Sequence, residues 1–564
     1  MSSPSSIRNS APLHWGQACI HCRRRKMRCD GARPICGQCT RGNRSEDCQY
    51  RDSQGRTKME VLEENISRVE ARIRELENPQ EQGPPVLLSD PYSANGSSSN
   101  LEPVPPLVYG WWTLPEPPLE LKTVLIDRFL DCASEYGFFM NVSRFRSAAL
   151  DPSAYYYRPL PALMTTIYLL GIFLSHTPSL TVHEKTFLER ALTDVSGALS
   201  NHHPQKFVQT IQAEALLASY FLASGRFLEG KYHITAALSL GLSIGLNKVR
   251  SDRNTSPGLV TILPAPQDAI EEGERVDACW IVLILDKCWA VALASAPSST
   301  CPSDLVGIQI DTPWPLEVQD YEHGGFSSSM VCSYTVQKYL RGAPTSGGNE
   351  MSTKALHVKA SLLWERATDL IRNWKSGMWA ALVLPSFLND NPNINVDMTQ
   401  QESIDFYASF AALDGLLENL RSALPSLNEA ANPTSAERRT LFVAHNLTYA
   451  TIMQLYGLFA RVDTQSKDKV LMAAQAVFQM TGTVPHGSPI NPIIGTVWIS
   501  AGQVLLEELV ALRASRSAHG PANVRETELL GVFNAGFQDM NLLAESCILL
   551  KYQVMQIQEA FTAL

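Results

Sequence analysis

The 564-residue chain lacks any run of about 18 apolar residues that is free of charge or a break. The best candidate, Val276 to Ala296, carries Asp286 and Lys287 near its middle. It reads as a buried helix, so no membrane partner is expected. The opening residues, MSSPSSIRNSAPLHW, hold no apolar segment of secretory type, and export is not expected. GxGxxG, P-loop, HExxH and GxSxG patterns are all missing, which removes the enzyme classes those motifs announce. No repeat of 20–50 residues recurs, so a solenoid is excluded. Histidine forms no metal pattern: His202 and His203 precede Pro204 and read as a loop, and His233 has no cysteine or carboxylate cluster at ligand spacing. With 45% hydrophobic residues, the chain is neither disordered throughout nor fibrous, and it is long enough for more than one domain.

What is present is distributed unevenly. The formal charge is -9, yet the first 58 residues carry 12 Lys and Arg against 4 Asp and Glu. A basic arm on an acidic body points to a nucleic-acid partner. Six of the 12 cysteines fall between Cys19 and Cys48, and the others are scattered thiols in mostly apolar surroundings. The six are spaced Cys19-x2-Cys22-x6-Cys29-x6-Cys36-x2-Cys39-x8-Cys48, an approximate duplication of C-x2-C-x6-C. Zinc favours four ligands in a tetrahedron, and thiolates suit it. Six sulfurs satisfy two ions only if two are shared. The duplication nominates Cys19 and Cys36 as bridges, with one ion on Cys19, Cys22, Cys29 and Cys36 and the other on Cys36, Cys39, Cys48 and Cys19. A disulfide knot would need an oxidising compartment. A single four-thiolate site with two spare thiols is the other alternative.

Between Cys22 and Cys29 lie Arg23, Arg24, Arg25, Lys26, Met27 and Arg28. A short helix carrying these cations and pinned by metal at both ends suits the major groove of double-stranded DNA. A solvated face or a nuclear-import signal is the plainer reading of such a run. Beyond it, Met59, Ile66 and Ile73 alternate with Leu62, Val69 and Leu76 as a and d positions of about three heptads. Of the g-to-e pairs Lys58–Glu63, Asn65–Glu70 and Arg72–Glu77, two are opposite in charge, which supports a homodimer through 58–77. The alternative is an amphipathic helix docked on the body. Residues 78–107 are rich in Pro, Gly, Ser and Asn and read as a flexible linker.

The rest is expected to be helical. Leu441, Ala444, Thr448, Ile452, Leu455 and Phe459 recur at spacings of three and four, and 470–478 (VLMAAQAVF) lacks strand alternation. Breaks are expected at 251–273, 322–352 and 484–493. Asp286 with Lys287 reads as a satisfied polar pair or a bundle contact. The last segment, ILLKYQVMQIQEAFTAL, is amphipathic and lacks acidic-hydrophobic disorder.

Residues 19–48, CIHCRRRKMRCDGARPICGQCTRGNRSEDC, resemble the DNA-binding domain of fungal zinc binuclear cluster transcription factors, including the CDGxRPxC loop with Pro34. The resemblance implies two Zn2+ per chain, Lys26 as the base reader with Arg25 beside it, Arg23 and Arg28 on phosphates, CGG-like triplets as sites, and a coiled coil after the cluster. Segments 212–246 and 271–297 resemble the middle homology region of the same factors, over roughly 105–390. There the second segment ends in a Gly-Arg-Pro-like turn, whereas here the turn is Ala294-Ser295-Ala296-Pro297. The expected fold class is mainly all-α: a disordered 1–14, a two-zinc cluster at 15–52, the coiled coil at 58–77, the linker at 78–107, and a helical regulatory body at 108–564. The expected function is a nuclear, non-enzymatic regulator of RNA polymerase II genes that engages the transcription machinery. The alternative is a metabolite-sensing or enzymatic helical protein with an accessory zinc-dependent DNA anchor.

Overall fold

The computed structural model describes residues 18–50 apart from 45 and 49, Ser67, and 110–563 apart from 152–157, 253–262, 296–307, 344–350, 375–399, 428–434, 486, 516–523 and 546. Residues 1–14, the linker at 78–107 and, Ser67 apart, the heptads at 58–77 lie outside the described residues. The chain divides into two compact units, Met1–Leu101 and Glu102–Leu564.

The first unit contains two five-residue helices, α1 (Ile20–Arg24) and α2 (Gly37–Arg41), packed on the six cysteines. Its buried core is those six side chains, flanked by Ala18 and Tyr50.

The second unit is all-helical. No strand occurs among the described residues, only an isolated bridge between Ser251 and Cys332. In chain order the helices are α3 (Leu119–Leu130), α4 (Val142–Leu150), α5 (Pro161–Phe173), α6 (Pro178–Thr181), α7 (Glu184–Gly197), α8 (Lys206–Ala223), α9 (Phe227–Ser243), α10 (Ala269–Ala292), α11 (Val318–Glu322), α12 (Thr335–Leu340), α13 (Thr353–Asn373), α14 (Gln400–Ala423), α15 (Ser435–Gly457), α16 (Thr464–Met480), α17 (Ile494–Ala514), α18 (Val524–Ala544) and α19 (Ile548–Thr562). Neighbours in sequence pack as pairs, α8 on α9, α15 on α16 and α16 on α17, while α13 packs on both α10 and α15 and ties the two halves together. Four fully buried tryptophans, Trp111, Trp280, Trp364 and Trp498, anchor the core.

Of the expected stripe at 441–459, Leu441, Ala444, Thr448, Ile452 and Leu455 lie buried on α15, whereas Phe459 falls just past its end and is half-buried. Two expected breaks are shorter than the sequence pattern implies. Helix α10 starts inside 251–273 because Asp268 caps it, accepting from the Glu271 N–H at 2.8 Å, while Glu271 pairs with Arg275 one turn on. The 322–352 stretch contains α12. Lys287 of α10 pairs with Glu365 of α13 at 2.8 Å, the bundle contact expected for it. Among the described residues one helix is long and apolar enough to cross a membrane, and it is α17, not the stretch from Val276 to Ala296. Val497, Trp498, Ala501, Leu505 and Leu509 of α17 are buried against its neighbours, the placement of a core helix.

Candidate metal centre and nucleic-acid interface

Helices of five residues do not persist on their own in water, so α1 and α2 need an outside constraint. Both start on a cysteine. The Cys19 thiol accepts from the Cys22 N–H at 3.4 Å, and the Cys36 thiol accepts from the Cys39 N–H at 3.4 Å. Both also end alike. In α1, Lys26 is left-handed (φ 56°), its N–H bonds Arg23 O, and the Met27 N–H bonds Cys22 O. In α2, Asn43 takes the same role (φ 50°), with bonds from Asn43 N–H to Thr40 O and from Arg44 N–H to Cys39 O. This paired closure is the Schellman motif. The duplication seen in the cysteine spacing is therefore a duplication of backbone.

This closure corrects one expectation. The basic run does not lie on one helix from Arg23 to Arg28. Arg23 and Arg24 are helical, Arg25 caps the end, and Lys26 turns the chain outward. Arg23, Arg24, Arg25, Lys26 and Arg28 are all exposed, and none pairs with a carboxylate among the described residues. Lys26 thus stands at the tip of the turn, with cations before and after it.

The sulfurs converge. Cys19 Sγ lies 3.7 Å from Cys36 Sγ and 3.8 Å from Cys39 Sγ, and Cys22 Sγ lies 3.6 Å and 3.9 Å from the same two. A disulfide requires about 2 Å, so these are free thiols. A tetrahedral zinc with bonds of about 2.3 Å sets its sulfurs roughly 3.8 Å apart, which matches. Cys36 belongs to two such groups, since its sulfur and the ligand atoms of Cys29 and Asp30 also lie within 4.8 Å of one another. Cys48 joins through its sulfur, which accepts from the Cys36 N–H at 3.2 Å. The donor set and separations fit zinc. The 3.9 Å approach of Cys22 to Cys39 crosses the two ligand sets drawn from the duplication.

Electrostatics single out Cys36. Burial pushes its thiol up, but hydrogen bonds from the Cys39 N–H and the neighbouring thiols outweigh that and bring it down to about 6. Burial raises Cys19 to about 11, and it also raises Cys22 and Cys39. A thiolate is the species a metal takes.

Two supports are absent from the sequence expectations. Asp30 accepts from the Gly37 N–H with both oxygens at 3.0 Å, tying the loop after the first half to the start of the second. A Cβ on Gly37 would lie 2.4 Å from Asp30 Oδ2, so only glycine admits this latch. Tyr50 donates to Ala32 O at 2.9 Å and lies under Arg33, 5.0 Å from its ring centroid. Asp30 belongs to the CDGxRPxC stretch, so its motif is visible in the sequence. Tyr50 gives no such signal.

His233 sits on α9, bonded to Glu214 of α8 at 2.5 Å and stacked on Phe221. One carboxylate and one imidazole make a buried helix–helix contact, not a metal site.

Comparison with known proteins gives the same division. Residues 17–57 match the fungal Zn(2)-Cys(6) binuclear cluster domain, a domain that binds two zinc ions. Residues 126–329 match the fungal specific transcription factor domain. The chain is similar to the Notoamide biosynthesis cluster transcriptional coactivator notQ' of Aspergillus versicolor, 24% identical over 322 residues, 53% of this chain and 58% of that protein. It is also similar to the Transcriptional activator protein acu-15 of Neurospora crassa, 41% identical over 75 residues, 12% of this chain and 8% of that protein. The chain thus spans little more than half of the first relative and a small part of the second. No solved structure matches it.

Proposed function

We propose that this chain, which joins a fungal Zn(2)-Cys(6) binuclear cluster domain to a fungal specific transcription factor domain, is a nuclear, sequence-specific DNA-binding regulator of genes read by RNA polymerase II. The observation that carries the reading is the exposed, carboxylate-free cationic turn held on the cysteine cluster. Cys19 and Cys36 would be shared between two zinc ions. Cys22 and Cys29 complete one set, and Cys39 and Cys48 complete the other. The ions supply folding free energy that so small an apolar core lacks; the chain's own residues do the reading. Lys26, with Arg25 beside it, donates to guanine O6 and N7 of a CGG-like triplet, and Arg23 and Arg28 neutralise phosphates. No catalytic step is assigned. The body from 108 onward is regulatory and offers its surface to the transcription machinery.

One triplet carries too little information to find a gene, so the heptads at 58–77 pair two chains and make the second contact intramolecular. Selection of bound duplexes from a random pool by the full zinc-loaded chain tests the reading. Two CGG-like triplets at a fixed distance are expected, and a pool that stays random after selection would overturn it. Ile66→Asp with Ile73→Asp buries like charges at facing a positions. That double variant should sediment as a monomer, lose paired-site affinity and keep weak single-triplet binding.

A further inference from the structure

The body holds a cavity of about 380 Å³, lined by residues of the helical unit alone. That volume lies in the range of small-molecule sites. Its walls come from distant parts of the chain: the turn at 131–141 after α3, the middle of α10, the start of α13 and the start of α15. Gly137, at φ 78°, brings the turn so close to α10 that a Cβ there would lie 3.1 Å from Ile281 Cγ2. The apolar wall includes Phe138, Trp280, Ile281, Leu285 and Trp289.

The polar groups of the wall are unbalanced in sign. Both lining cations are already paired, Lys354 with Asp277 at 2.6 Å and Arg439 with Glu135 at 2.6 Å. Three further lining carboxylates have only neutral donors. Glu274 accepts from the Asn141 N–H at 2.9 Å, Glu322 accepts from Asn141 Nδ2 at 3.1 Å, and Glu317 accepts from the Thr353 backbone and hydroxyl. The second oxygen of Glu135 is buried with no hydrogen-bond partner. His357 of α13 also lines the cavity, and burial pushes it down to about 4, so it adds no positive charge at neutral pH. Burial lifts Glu274 to about 7; the nearest cation, Arg144, pairs with Asp268 and offsets that only in part.

We propose that this cavity binds a small aromatic amine, its ring held among Trp280, Ile281 and Leu285 and its ammonium group taken by Glu274. An anion would enter a wall with surplus negative charge. A neutral ring would leave the carboxylates as they are. An ammonium offers the missing cation, and the aromatic wall favours it further. The proposal goes beyond the DNA-reading function and holds whether or not the cluster reads CGG.

Calorimetric titration of the full zinc-loaded chain decides it, with three probes of one shape: 2-(1-naphthyl)ethylamine, 2-(1-naphthyl)ethanol and 1-naphthylacetate. The expected result is saturable binding of one amine per chain, about tenfold or more tighter than the alcohol, with the carboxylate weakest. Glu274→Gln keeps an acceptor for the Asn141 N–H and should bring the amine to the affinity of the alcohol, leaving the alcohol unchanged. Ile281→Trp, which fills the cavity, should abolish both. Amine heat that does not saturate, equal affinity for the three probes, or unchanged amine affinity in a folded Glu274→Gln chain would overturn the proposal. Should either variant fail to fold, the probe order on the unaltered chain still decides, and loss of DNA binding has no bearing on it.

Discussion

The two units of this chain solve the same problem by opposite means. The N-terminal unit buries six cysteines and little else, and its two helices span five residues each. The helical body buries four whole tryptophans and a continuous apolar core. A small unit without apolar surface depends on ligands that are covalent in character and few in number. A large one depends on many weak contacts, none indispensable. The first should therefore fail all at once and the second by degrees.

Chelation of zinc is the largest break in that contrast. Structural zinc contributes on the order of 10 kcal/mol or more to folding of such modules. A chelator should abolish DNA binding and the structure of residues 18–50, while the melting transition of the body, followed by tryptophan fluorescence, stays in place. Cys36→Ala should reduce bound zinc from two ions to none by elemental analysis, because its sulfur is proposed to serve both.

Within the body, the buried Glu274 gives the next effect. Its carboxyl titrates near 7 in the fold against about 4.5 when unfolded. The folded state therefore holds a proton that the unfolded chain has released. The contribution is complete below about 4.5 and is lost as pH rises through 7. Glu274→Gln removes that loss. Its melting temperature relative to the unaltered chain should climb from pH 4.5 to above pH 7, reaching an advantage of roughly 3 kcal/mol. A difference that is flat with pH would show that the Asn141 N–H and Arg144, which lower Glu274, offset the burial and the neighbouring carboxylates Glu271 and Asp268, which raise it.

The two halves of the cluster sharpen the comparison further, since one backbone carries different side chains. Lys26 and Asn43 occupy equivalent left-handed positions. Lys26→Ala should cost roughly 1–3 kcal/mol on the specific duplex and much less on random DNA. Asn43→Ala, with comparable backbone strain, should leave the ratio of specific to random binding unchanged. Arg23→Ala should weaken both duplexes equally and flatten the salt dependence. Gel-shift titrations at several salt concentrations separate the three.

The smallest effect concerns the end of α10. Ala294 is left-handed at φ 48°, and its N–H bonds Val291 O while the Ser295 N–H bonds Ala290 O. A glycine-type cap thus closes α10 at the turn for which the sequence resemblance implies a Gly-Arg-Pro-like stretch. Ala294→Gly should raise stability by about 1 kcal/mol, read as a small rise in the body's denaturant midpoint.

Ligand spacing is local chemistry, which is why the six cysteines, their duplication and the cationic run are legible in the sequence itself. The end of α1 is not, because lysine seldom takes a left-handed conformation and nothing in RRRKMR announces one. The start of α10 is within reach: Asp268 followed three residues on by Glu271 is a capping signal, masked by Pro264 and Pro266 just before it. Lys287 is legible as a charge in an apolar stretch, but its partner Glu365 is not, since 78 residues separate them. The cavity is invisible for the same reason at larger scale. Glu135 and Arg439 are 304 residues apart.

That long pairing bears on how the body can be cut. The stretch that matches the fungal specific transcription factor domain ends at residue 329. Lys354, Glu365 and Arg439 all lie beyond it, and they are the partners of Asp277, Lys287 and Glu135 inside it. A fragment ending there would carry three ionisable side chains, built to be buried in pairs, with the other member of each pair left behind. The smallest piece of this body able to stand alone therefore extends past α15, and the border of the matched stretch marks kinship of sequence, not a seam in the protein.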